Sequence, residues 1–101
     1  MNENTCQSLI EQLAKLTQLN PSYFACEIQE DGQFLLISIS IPANMGKEAL
    51  VTMLRDAQVL VGQLLPWRAG AYSWMINAIQ NGKLVESVFR GDLLSQEAGL
   101  L

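Results

Sequence analysis

Apolar positions recur at three- and four-residue spacing in two stretches of the chain and alternate with polar ones in two others. Cys6, Leu9, Ile10, Leu13, Leu16 and Thr17 trace one stripe, which predicts a first helix over residues 4–19. Asn4 or Thr5 is its expected N-cap, with Gln7 three positions after Asn4, and Asn20-Pro21 its expected stop. Leu50, Met53, Leu54, Ala57, Leu60, Val61, Leu64 and Leu65 trace a wider stripe, predicting a second helix over residues 45–64. Asn44 is its expected N-cap, Glu48 falls in its first turn, and Pro66 closes it. Gly62 inside that helix costs about 1 kcal/mol relative to alanine, so close packing against another element is expected there.

Two alternating stretches follow the helices, each centred on a dipeptide that favours a two-residue hairpin turn. Asp31-Gly32 joins Tyr23–Glu30 to Gln33–Ile41, and Asn81-Gly82 sits inside the aromatic-rich run Trp67–Arg90. A two-residue turn sets the register. In the first hairpin Phe24, Cys26, Ile28, Leu35, Ile37, Ile39 and Ile41 share the core face. Tyr23, Ala25, Glu27, Gln29, Phe34, Leu36, Ser38 and Ser40 share the other. In the second, Gln80 faces Lys83, Ile79 faces Leu84, Ala78 faces Val85, Met75 faces Val88 and Trp74 faces Phe89. Tyr72, Trp74, Ile76, Ala78, Val85 and Phe89 are then core, and Met75, Ile79, Leu84 and Val88 face outward among Ser73, Asn77, Glu86 and Arg90. Pro42 lacks the N–H a sheet ladder needs, so the strand before it ends by Ile41.

The element order is α-β-β-α-β-β. It predicts a single α+β domain over residues 1–101, a two-layer sandwich with a four-stranded, mainly antiparallel sheet and two helices on one face. Residues 93–101 read as a short C-terminal tail or helical turn. Strand order is not written in the pattern.

Composition narrows the function. At 101 residues the chain is one domain that buries roughly two-thirds of its unfolded surface. Six basic residues and a net charge of −4 argue against nucleic acid and anionic membranes. Outward Tyr23 and Phe34 lack the basic surroundings of a base-stacking sheet. No run approaches the ~20 apolar residues of a membrane span. The segment MNENTCQSLIEQL has neither a positive start nor an unbroken apolar stretch, so it does not read as a signal peptide and a cytoplasmic location is expected. Cys6 and Cys26 lack metal-ligand spacing and read as two reduced thiols, one on each side of the core; a Cys6–Cys26 bridge is expected only in an exported protein.

Without histidine the usual general base is absent, and no Gly-rich phosphate loop or metal set is present, so neither catalysis nor a cofactor is expected. Glu27 and Glu86 become a coupled carboxylate pair only if strand order brings them together on the outward face.

The outward face carries the functional expectation. Phe34, Leu36, Met75, Ile79, Leu84 and Val88 are too many for a solvated sheet surface, where polar alternation is the rule. They are expected to form a partner interface unless Leu93, Leu94, Leu100 and Leu101 fold back over them. In size, acidity and element order the chain resembles the dimeric chaperones of bacterial type III secretion, which usually carry additional sheet between the first hairpin and the second helix. Bacterial immunity proteins and small adaptors are equally compatible with that plan. The resemblance implies a cytoplasmic protein-binding module, a homodimer working through the sheet face or a sheet edge. The alternative is a small-ligand regulatory domain whose pocket lies between helices and sheet, lined by Phe24, Tyr72 and Trp74.

Overall fold

One apolar face on every element requires a second layer to cover it, and the two helices supply that layer. The computed structural model describes residues 3–29, 34–65 and 73–89. Helix α1 spans Glu3–Thr17 and α2 spans Lys47–Leu64; the strands are β1 (Phe24–Gln29), β2 (Phe34–Ile41), β3 (Ser73–Gln80) and β4 (Lys83–Phe89). The sheet order is β1-β2-β3-β4. Both hairpin pairs are antiparallel, whereas β2 and β3 run parallel at the centre. A parallel pair needs a long crossover, and α2 provides it.

The core contains Leu9, Leu13 and Ala14 from α1, with Leu50, Met53, Leu54, Ala57 and Val61 from α2. Against them lie Phe24, Leu35, Ile37, Ile39, Ile41, Trp74, Ile76 and Ala78, all on one face of the sheet. Both helices therefore cover the same face, as the pattern predicts. Gly62 is not demanded by close packing. A Cβ built there would meet a ring carbon of Trp74 at 3.8 Å, an ordinary van der Waals distance.

Helix ends differ from the sequence expectation. Because α1 begins at Glu3, Asn4 and Thr5 lie in its first turn rather than at the cap. It stops at Thr17, before Asn20-Pro21, because Gln18 turns left-handed at φ 62° and its N–H bonds Ala14 O at 2.8 Å. The Thr17 hydroxyl reinforces that end, donating to Leu13 O at 2.7 Å and accepting from the Leu19 N–H at 3.3 Å. Asn20 instead caps a short 3₁₀ turn over Pro21–Tyr23, its side chain accepting from the Ser22 N–H at 2.9 Å. That turn takes Tyr23 out of the predicted strand. Gly46, not Asn44, caps α2, and it makes no side-chain cap bond. Leu65 leaves the helical region, as a residue preceding proline does.

The first hairpin keeps the predicted register, Phe24 opposite Ile39 and Gln29 opposite Phe34; its Asp31-Gly32 turn lies outside the described residues. The second hairpin departs from it. Asn81 and Gly82 have φ 54° and 76°, the two positive angles of a type I′ turn, and Gln80↔Lys83 and Ile79↔Leu84 pair as expected. A β-bulge then inserts Val85 as an extra residue, so Ala78 faces Glu86, Asn77 faces Ser87, Ile76 faces Val88 and Met75 faces Phe89. One inserted residue reverses every later side chain on β4. Val88 thus moves to the helix side and packs against the core, and Phe89 moves to the open side.

The two cysteines are not free thiols. Cys6 on α1 and Cys26 on β1 form a disulfide with their Cα atoms 5.6 Å apart, a separation suited to a bridge. Their stripes do face each other across the layer boundary, as the sequence reading had them, and the sulfurs meet there.

Candidate functional site

Register alone arranges the uncovered face of the sheet into rows. The first described row joins Gln29 to Phe34, and the next runs Glu27–Leu36–Met75–Phe89. A third, Ala25–Ser38–Asn77–Ser87, is small and polar, and a fourth holds Ser40, Ile79 and Leu84. Apolar rows therefore flank a polar one. Within the polar row the Ser87 hydroxyl donates to the Asn77 side-chain oxygen at 2.6 Å, which keeps this strip hydrogen-bonded at the middle of the face.

Five of the six residues expected at the interface lie on this face: Phe34, Leu36, Met75, Ile79 and Leu84. The parallel pairing sets Leu36 directly beside Met75, which joins the two hairpins' apolar residues into one surface. Leu84 is 61 % exposed and the other four are half-buried. Val88 does not belong here, because the bulge at Val85 turns it inward. Phe89 takes its place beside Met75, and the sequence reading missed it. Nothing in Val85-Glu86-Ser87 marks a bulge, and Val88 and Phe89 are both apolar, so either register leaves a plausible core.

The remaining candidates disperse. Glu27 stands on the open face of β1, where its carboxylate accepts from the Gln29 side-chain amide, whereas Glu86 faces Ala78 on the helix side of β4. Two strands and a face separate them, so the carboxylate pair does not form. Phe24 and Trp74 fill the core rather than an open pocket, and Tyr72 lies outside the described residues. The Trp74 indole N–H is buried without a hydrogen-bond partner among the described residues. Leu93, Leu94, Leu100 and Leu101 also fall outside them.

The scaffold beneath the open face is tied at both ends. The Gln80 amide donates to Pro42 O at 2.8 Å and Met45 O at 3.0 Å, fastening the end of β3 to the loop that leads into α2. The Gln58 amide donates to the Phe89 carbonyl, fastening α2 to the end of β4. These ties hold the strand ends that frame the open face.

No family model matches the chain, and no curated protein or solved structure matches it. Among the described residues no helix is long and apolar enough to cross a membrane, and no three metal-ligating side chains come together.

Proposed function

We propose that this chain is a protein-binding module whose open sheet face pairs with a second copy of itself. The observation that carries the reading is the apolar surface of Phe34, Leu36, Met75, Phe89, Ile79 and Leu84 on the side away from both helices. Its row order is self-complementary. A two-fold axis in the plane of the sheet, along or across the strands, lays apolar rows on apolar rows and the polar row on itself. Two sheets stacked this way approach to about 10 Å and interlock side chains as a sandwich core does. In the adaptor or secretion-chaperone-like role suggested by size and element order, the dimer would present its helical layers to a partner.

The expected cytoplasmic location fits the disulfide poorly. A Cys6–Cys26 bridge favours an oxidising setting, since reducing compartments keep such pairs as thiols.

Light scattering tests the pairing. The wild-type chain should run at twice its 11.2 kDa mass, and Met75→Asp should run at the monomer mass while keeping its helical and strand signals. A wild-type monomer at millimolar concentration would remove the basis of the reading.

A further inference from the structure

The helical layer carries a second surface, unrelated to the sheet face. The C-terminal end of α1 lies against the N-terminal half of α2, and between them runs a groove of about 510 Å³. Leu16, Met45 and Met53 supply its apolar lining; Leu16 is 43 % exposed and Met53 is buried at the bottom. Glu48, Thr52 and Asp56 form one wall, and their four-residue spacing stacks them along one side of α2. Glu48, Thr52 and Asp56 are all exposed, and among the described residues no lysine or arginine lines the groove.

We infer that this groove receives a cationic amphipathic helix of a partner protein. An apolar trough of this size takes a few anchoring side chains from one helical face, and methionine lining adapts to their shape. The carboxylates along one wall then meet lysines or arginines flanking those anchors, which sets the orientation and excludes acidic partners. Because the groove opens on the helical layer, a copy seated on the sheet face leaves it free.

The test uses the full chain and a fluorescein-labelled, 18-residue peptide of leucine and lysine placed at helical spacing, read by anisotropy. The wild type should bind it, and Glu48→Lys with Asp56→Lys should weaken binding roughly tenfold or more. Glu3→Lys with Glu11→Lys adds the same charge elsewhere on α1 and should leave affinity within roughly twofold. Leu16→Ala should weaken it by roughly threefold, and Thr52→Lys reports on the same wall should the double variant fold poorly. Met75→Asp should leave affinity unchanged, which separates this surface from the sheet face. Equal weakening by both charge-reversed pairs, loss of binding in Met75→Asp, or no binding by the wild type would overturn the inference.

Discussion

Reducing the Cys6–Cys26 bridge is expected to lower the unfolding free energy by about 3 kcal/mol and the melting temperature by roughly 12–20 °C. The bridge closes a loop between residues 20 positions apart, and opening it returns that much conformational freedom to the unfolded chain. The loss falls on α1 first. That helix reaches the core through Leu9, Leu13 and Ala14, and its N-terminal part is fastened to β1 by Cys6. Thermal melts with and without a phosphine reductant, and of Cys6→Ser with Cys26→Ser, measure the effect. Identical melts would mean that the sulfurs are not joined in solution.

The bulge at Val85 makes an equally large and more specific prediction. Val88 stands opposite Ile76 and packs on the core, so Val88→Asp sets a carboxylate against apolar side chains and should cost about 3 kcal/mol. Phe89 stands opposite Met75 on the open face, so Phe89→Asp should cost the isolated fold about 1 kcal/mol. Denaturant unfolding of the two variants, each measured as a monomer, decides the register. An unbulged hairpin exchanges the two results, because it puts Phe89 in the core and Val88 outside.

These two features mark where reading the chain from its residues stops. Helical stripes located both helices, since the three-residue steps from Ile10 to Leu13 and from Leu54 to Ala57 share a face on a helix and not on a strand. Turn dipeptides located both hairpins and the whole register of the first. The parallel pairing of β2 with β3 left no trace, because Ile37 and Ile76 face the core under any strand order. The bulge left none either, since the residues it exchanges are both apolar. Cys6 and Cys26 were rightly placed on facing stripes, but a spacing of 20 residues does not say whether two such sulfurs meet. Five of the six residues read as outward lie on the open face, because Phe34, Leu36, Met75, Ile79 and Leu84 all precede Val85 in the chain; Val88, which follows it, does not.

The two proposals use opposite layers: the sheet face would join copies, and the groove between the helices would take a basic helix. The sheet face is the central claim, and contacts between differently labelled copies test it most directly. In a mixed sample of methyl-labelled and unlabelled chains, the methyls of Leu36 and Met75 should show intermolecular Overhauser contacts to the rings of Phe34 and Phe89. Contacts confined to Val59 and Leu16 on the helical layer, or none between copies, would contradict the account.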